Sequence, residues 1–138
     1  MSTHRLSQYP DLMSVLGALP ADERAPRVQR VVEHAAAANG VIDECRTADD
    51  LADLTAQYDD AAWTIQEQID TDGGSDEEYL AMFRKARAVN AWMNAFGDPT
   101  FDDCCDATYE AFFALDNDEA RVVALLTADL STAPWNDR

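Results

Sequence analysis

The sequence predicts an all-α fold, a compact bundle of five to seven helices forming one domain over residues 1–138. Apolar side chains recur every three to four residues through most of the chain, which is the spacing of a stripe that faces a core. Glycine and proline separate these segments, and no run that alternates Val, Ile and Thr with hairpin turns indicates a strand. Because 47% of the 138 residues are hydrophobic, the chain can bury a single core.

Two helices are predicted before residue 41. Leu6–Leu19 forms the first, with Pro10 near its start, where a missing N–H is tolerated. Asp22–Asn39 forms the second, with Asp22 as its N-cap and Gly40 just past its end. We expect this second helix to carry three arginines on its outer side: Arg24, Arg27 and Arg30.

The longest predicted helix covers Thr47–Asp70, has Thr47 as its N-cap and is expected to be the central helix of the bundle. A turn of about 100° per residue places seven apolar residues on one side: Leu51, Leu54, Tyr58, Ala61, Ala62, Ile65 and Ile69. The opposite side holds an acidic row, about 40° wide and roughly 27 Å long, that consists of Asp49, Asp53, Asp60 and Glu67. Trp63 lies roughly 60° from the row, so it is either covered by another helix or exposed as an interface anchor.

Three further segments complete the predicted bundle. Asp76–Phe96 is capped by Ser75, the next helix spans Thr100 to Leu115, and the last ends near Leu130. Residues 131–138 are predicted to be a tail. The inward-facing apolar lines of these segments include Met93, Phe96 and Phe101.

Acidic residues dominate the charge of the chain. It has 27 Asp and Glu against 10 Lys and Arg, which gives a formal net charge of −17. Such a field repels nucleic acid and anionic membranes and attracts basic proteins. Either a basic partner or adaptation to a high-salt cytoplasm accounts for so much uncompensated charge.

The sequence indicates a cytoplasmic protein. Its start lacks the apolar core of a signal peptide, and no run approaches the ~18 apolar residues of a membrane span. Three cysteines, two of them adjacent, fit a reduced chain better than a disulfide framework. We therefore expect no membrane contact, no direct nucleic-acid contact and no cofactor.

Three candidate chemical sites fail on spacing or position. Asp70–Asp76 resembles the opening of a calcium loop, but its fifth, sixth and twelfth positions lack the required oxygen ligand, glycine and glutamate. Cys104 and Cys105 are adjacent and point about 100° apart on a helix, so we interpret them as buried small residues rather than zinc ligands. Paired acids such as Asp59 and Asp60 occupy solvent-facing positions, where general acid–base catalysis is not expected. The protein is therefore predicted not to be an enzyme.

The stretch Val41–Asp70 resembles the central acidic helical region of phage and plasmid antirestriction proteins that mimic DNA. The shared elements are Arg46-Thr47, Asp49-Asp50-Leu51, Asp53, and an acid near Asp60 before aromatic and apolar residues. The resemblance implies a bent, DNA-shaped, often dimeric all-α protein that occupies the DNA groove of restriction enzymes. The second half departs from the pattern, because it lacks a strongly acidic tail and carries three basic residues on one helix: Arg84, Lys85 and Arg87.

The charge and the acidic row predict a small inhibitor that binds the basic surface of a nuclease or another DNA-binding protein. It would act as a DNA mimic in phage or mobile-element counter-defence, since a groove that binds phosphates accepts a shaped polyanion. The acidic row and Trp63 would contact the partner, and further acids extend this surface: Asp43, Glu44, Asp70, Asp72, Asp76, Glu77 and Glu78. The alternatives are an immunity protein for one basic toxin, anchored by Trp63, and a housekeeping helical domain adapted to high salt.

Overall fold

The computed structural model describes residues 5–73 and 76–128, and all regular structure in these ranges is helical. A 3₁₀ turn at Arg5–Gln8 precedes the α-helices. These are α1 (Pro10–Ala18), α2 (Ala21–Ala38), α3 (Ile42–Thr47), α4 (Leu51–Asp72), α5 (Glu77–Ala95), α6 (Phe101–Ala114) and α7 (Glu119–Thr127). The predicted all-α bundle is confirmed. The Ser75 cap, the helix end near Leu130 and the tail 131–138 lie outside the described residues.

The long helix α4 begins four residues later than predicted. Thr47 is the last residue of α3, where its hydroxyl donates to the Asp43 carbonyl at 2.8 Å. The backbone is extended at Ala48, and the Asp50 side chain then accepts from the Asp53 N–H at 3.0 Å. Asp50 is therefore the N-cap, as an aspartate with extended backbone should be, and the prediction of Thr47 as the cap is wrong.

The predicted helix from Thr100 to Leu115 is confirmed, because α6 runs from Phe101 to Ala114 between these two cap residues. Thr100 and Asp103 form a reciprocal capping box at the start of α6. The turn into α7 holds Asp116 and Asn117 in left-handed backbone conformations, with φ of 62° and 57°, which Asp and Asn tolerate better than most residues. Asp118 then caps α7 by accepting from the Arg121 N–H.

Helix α2 is the centre of the bundle and packs against α3, α5, α6 and α7. Pro20, not Asp22, is its N-cap. Its arginines are not on an outer side as predicted: Arg30 is only 4% exposed, and Arg24 and Arg27 are half-buried. The prediction failed because the helix is surrounded, so positions opposite its apolar stripe also face neighbouring helices.

The polar side chains of α2 bind the C-terminal ends of other helices. Arg24 donates to the Leu16 and Leu19 carbonyls at the end of α1. Arg27 and Arg30 both donate to the Ala128 carbonyl that follows α7, at 2.6 and 2.7 Å. Two further ends are bound by side-chain amides: Gln29 donates to the Ala95 carbonyl of α5, and Asn39, the C-cap residue of α2, donates to the Ala114 carbonyl of α6. Cations and donors at these sites satisfy carbonyls that a helix end leaves without a partner.

The long helix α4 lies at the edge of the bundle and packs almost entirely along α5. Ala62 is the only buried residue of α4, and Leu51, Leu54 and Tyr58 contact the core from partly buried positions. The prediction of a central long helix is therefore wrong. A long amphipathic helix can lie at the centre or at the edge of a bundle, and only one side of α4 is covered by other helices.

Helix α5 is covered on more sides than its predicted apolar stripe allows, because α2, α4 and α6 all pack against it. Small residues line these contacts, and Ala88, Ala91 and Ala95 have no exposed surface. Trp92 is buried and stacks on Phe96 at 4.4 Å between ring centroids. Three predicted core residues are instead partly exposed: Met93, Phe96 and Phe101.

The contact between α2 and α7 predicts a loss of stability in mild acid. Arg121 Nη2 lies 2.6 Å from His34 Nε2, and an arginine can only donate, so this nitrogen must accept and His34 must be neutral. Burial, and secondarily the Arg121 charge, lower the pKa of His34 from its usual 6.5. The unfolded chain therefore takes up the proton first, and stability falls as pH drops below about 6.5 until the folded-state pKa is passed.

Urea unfolding of the wild type and of His34→Gln at about pH 8 and about pH 5.5 measures this effect. The wild type should lose more stability than the variant, whose amide oxygen accepts from Arg121 at both pH values. Burial also raises the pKa of the neighbouring Glu33 above its usual 4.5, which acts with the opposite sign at lower pH. An equal pH dependence in the two proteins would contradict the prediction.

Candidate functional site

Helix α4 presents an exposed line of carboxylates. Asp53, Asp60 and Glu67 recur every seven residues on an unbroken helix, so they lie about 10.5 Å apart along its axis, and all three are exposed. Asp49 is also exposed but precedes the helix, in the bend before Asp50. The acidic row therefore has three members on α4 and a fourth in the segment that leads into it.

Two predicted acids extend this surface at its N-terminal end. Asp43 and Glu44 lie on α3 and are exposed. The Tyr58 hydroxyl donates to both carboxylate oxygens of Glu44, at 2.9 and 2.7 Å, and so ties α3 to α4. Burial, together with this bond to a carboxylate, raises the pKa of Tyr58 to about 12, because a phenolate beside Glu44 is disfavoured.

Five predicted acids extend the surface at the other end. Gly73, with a φ of 79°, ends α4, and α5 begins at Glu77. Asp70 accepts from the Gln66 amide at 3.1 Å and stays exposed. The whole group is exposed: Asp70, Asp72, Asp76, Glu77 and Glu78. All the acids named as candidate contacts therefore face solvent.

The charge of the chain is concentrated in this region. Thirteen of the 27 acidic residues, and only Arg46 among the ten basic ones, lie between Val41 and Glu78. Twelve of the thirteen are exposed, and the exception is Asp59. Within the described residues, no Lys or Arg forms an ion pair with Asp53, Asp60 or Glu67. We call this region, residues 41–78, the acidic surface.

A partly buried ionic network joins α4 to the bundle behind the acidic surface. Arg87 donates to Asp59 at 2.8 Å and to Glu110 at 3.0 Å, and the Asn90 amide donates to Glu110 at 2.7 Å. The Glu110 side chain is only 6% exposed. The guanidinium of Arg87 also lies over the Phe83 ring, 5.5 Å from its centroid. Arg87 therefore links three helices and neutralises Asp59.

In the described ranges, the basic residues of α5 contact other side chains and form no ion pair with the acidic row. Arg84 pairs with Asp116 at 2.7 Å, and the ammonium of Lys85 lies 5.7 Å from the Tyr58 ring centroid. The partners of these basic residues lie up to 32 positions away in the chain. The sequence contains many acids that could pair with them, but it does not specify which acid lies beside which base.

Trp63 is exposed, with 66% of its surface accessible, so the alternative in which another helix covers it does not hold. It has the largest exposed fraction among the large apolar residues of the described ranges. Asp60 precedes it by three residues and Glu67 follows it by four, which makes both its neighbours on the helix surface. An indole between two carboxylates therefore lies on the open side of α4.

Other chemistry finds little support in the described ranges. A polar depression of about 340 Å³ lies between α5 and α6, but its carboxylate Glu110 already accepts from Arg87 and Asn90. All three cysteines are buried, and burial raises the pKa of Cys45 and Cys105 to about 12, which disfavours thiolates. Residues 5–73 and 76–128 contain no group of three His, Cys, Asp or Glu placed to hold a metal ion.

The site therefore consists of a charged, open face rather than a cleft. None of the helices in the described ranges has the length and apolarity required to cross a membrane. Comparison of the chain with protein-family models, curated proteins and solved structures finds no match.

Proposed function

We propose that the protein is an acidic inhibitor that mimics DNA and occupies the basic surface of a nuclease or another DNA-binding protein. The observation that carries the proposal is the unbroken α4, which exposes Asp53, Asp60 and Glu67 on one side. None of the three is neutralised by a described Lys or Arg. A role in phage or mobile-element counter-defence follows from the same proposal.

The spacing of the acids matches that of phosphates in its order of magnitude. One DNA strand carries a charge every ~3.4 Å, so the ~10.5 Å between row members spans about three phosphates. The row alone therefore has about a third of the charge density of a strand. Five of the twelve exposed acids of the acidic surface lie on α4, about one per 7 Å of its ~33 Å length, and the other seven lie beyond its two ends. Mimicry thus requires the acids at both ends as well as the row.

Rigidity supports binding by this surface. The carboxylates are held on a helix that is fixed to the bundle by the Asp59–Arg87 ion pair and the Tyr58–Glu44 hydrogen bonds. A partner would therefore not have to order a flexible acidic chain, and less conformational entropy is lost on association.

Conversion of the acidic row to amides tests the proposal. The amide-row variant combines Asp49→Asn, Asp53→Asn, Asp60→Asn and Glu67→Gln. Proteins are captured from a bacterial lysate on the immobilised wild type and on the variant, and each captured protein is tested for labelled duplex DNA by fluorescence anisotropy. The wild type should displace the DNA, with a potency that falls as salt is added, and the variant should be weaker by about 100-fold.

A matched control removes the same number of charges elsewhere, with Asn at four exposed positions: Asp11, Asp22, Asp98 and Asp106. It should compete as well as the wild type. The proposal fails if the amide-row variant captures the same proteins with equal affinity, or if the captured proteins bind DNA and the inhibitor simultaneously.

A second candidate function is an immunity protein for one basic toxin, and the exposed Trp63 favours it. Aromatic anchors supply much of the affinity of tight protein interfaces. In that case Trp63→Ala should weaken binding more than any single acid-to-amide change.

The high-salt alternative is less well supported by the distribution of charge. Acids that only keep a protein hydrated need no preferred side, whereas thirteen of 27 here lie within residues 41–78. A protein adapted to salt should unfold in dilute buffer, so a melt at low ionic strength distinguishes the two hypotheses.

A further inference from the structure

The open side of α4 combines an aromatic face with two carboxylates. Trp63 is 66% exposed, and Asp60 and Glu67 flank it along the helix axis, about 4.5 Å and 6 Å away. Side chains at these separations are neighbours on a helix surface, with Cβ atoms about 5–6 Å apart. A group resting on the indole would therefore be within reach of negative charge on both sides.

The same combination recurs inside the protein, where an arginine occupies it. Arg87 lies over the Phe83 ring, 5.5 Å from its centroid, while its two terminal nitrogens bind Asp59 and Glu110. The guanidinium of Arg24 likewise lies 4.8 Å from the Phe101 centroid. Lys85 also lies over a ring, 5.7 Å from the Tyr58 centroid, but of these three cations only Arg87 both covers a ring and donates to two carboxylates.

We propose that Trp63, Asp60 and Glu67 form a receptor for one arginine side chain of the basic partner. The guanidinium stacks on the indole and donates to the two carboxylates. Arginine suits this site better than lysine, because its planar group is more weakly hydrated, stacks on rings and offers five donors. This inference rests on the proposed function and names the residue by which the partner is recognised.

The arginine comes from a different protein rather than from a second copy of this chain. Each arginine whose side chain is described already contacts a carbonyl, a carboxylate or an imidazole of its own chain: Arg24, Arg27, Arg30, Arg46, Arg84, Arg87 and Arg121. Freeing one of them for a second copy would break an existing contact. A net charge of −17 further opposes self-association and favours a basic partner.

Two synthetic peptides of equal length and charge, one with arginines and one with lysines, probe the receptor. Their affinities for the full-length protein are measured by isothermal titration calorimetry at about 0.15 M salt. The wild type should bind the arginine peptide about three- to tenfold more tightly than the lysine peptide. Trp63→Leu, which keeps an apolar side chain but removes the ring, should abolish this preference, and Trp63→Phe should retain most of it.

The matched control is Phe96→Leu, which removes a partly exposed aromatic ring outside the acidic surface and should leave both affinities unchanged. The inference is overturned if the wild type binds the two peptides equally, or if Trp63→Leu keeps the preference. Binding by a second copy, seen as a dimer in analytical ultracentrifugation that Trp63→Leu dissociates, would also overturn it.

The amide-row variant separates this failure from a failure of the proposed function. If the amide-row variant loses affinity for both peptides and the wild type shows no preference between them, the acidic surface is retained as the binding surface and the arginine receptor is wrong. If neither peptide binds the wild type, or the variant binds as well as the wild type, both are wrong.

Discussion

Replacement of Arg87 by methionine is expected to lower the free energy of unfolding by about 3–5 kcal/mol. Methionine keeps an apolar side chain but leaves the carboxylate of Glu110, whose side chain is 6% exposed, without its charged partner. Of the two side chains that donate to this carboxylate, only Asn90 would remain. Because Arg87 also binds Asp59, the variant should loosen α4, which packs almost entirely along α5. Urea unfolding and hydrogen exchange of α4 measure both effects.

A second substitution identifies the cause. Arg87→Met combined with Glu110→Gln removes the stranded charge and should recover part of the stability, so the two changes should not be additive. Arg84→Met is the matched control, because its partner Asp116 is 79% exposed and such surface pairs contribute at most about 1 kcal/mol. Equal losses in Arg84→Met and Arg87→Met would contradict a special role for the buried Glu110 carboxylate and its partner Arg87.

Replacement of Arg30 by methionine is expected to cost about 2–4 kcal/mol and to destabilise α7 most. Arg30 donates to the Leu125 and Ala128 carbonyls at 2.6 and 2.7 Å, and it is only 4% exposed. Hydrogen bonds from a charged donor contribute about 1.5–3 kcal/mol each, and a cation at a helix C-terminus adds to this. Hydrogen exchange should therefore show the largest loss of protection in α7.

Arg46→Met is the control for this change. The Arg46 side chain is 52% exposed and lies 3.9 Å from Glu33, so its loss should cost less than about 1 kcal/mol. Uniform loss of protection along the chain in Arg30→Met, rather than a loss concentrated in α7, would show that Arg30 does not act as a cap.

Local signals predicted the helices well. The Thr100 capping box and the stretch of polar residues at 116–118 each lie where a helix begins or ends. These features involve side chains and backbone within a few residues, so the sequence contains all the interacting groups. Three starts were misplaced, since α1 begins at Pro10 rather than Leu6 and Pro20 rather than Asp22 caps α2. The start of α4 was misplaced because Thr47 and Asp50 are both good caps and only the extended backbone at Ala48 selects between them.

The candidate surface was predictable for the same reason. Positions on one helix are fixed by their spacing, so Asp53, Asp60 and Glu67 share a side of α4 whatever the rest of the chain does. Asp49 was misplaced only because the helix begins after it. The exposure of Trp63 was not predictable, since residue positions around one helix do not show whether another helix covers the side that carries Trp63.

Periodicity and capping are local properties, so the order of residues is enough to indicate a bundle of helices with one long acidic helix. The packing of the helices places α2 at the centre and α4 at the edge, and it buries Arg30. The same packing brings Arg87 to residues 28 and 23 positions away. The physical reason is that burial and ion pairing depend on which helices meet, and side-chain spacing along one helix does not specify its neighbours.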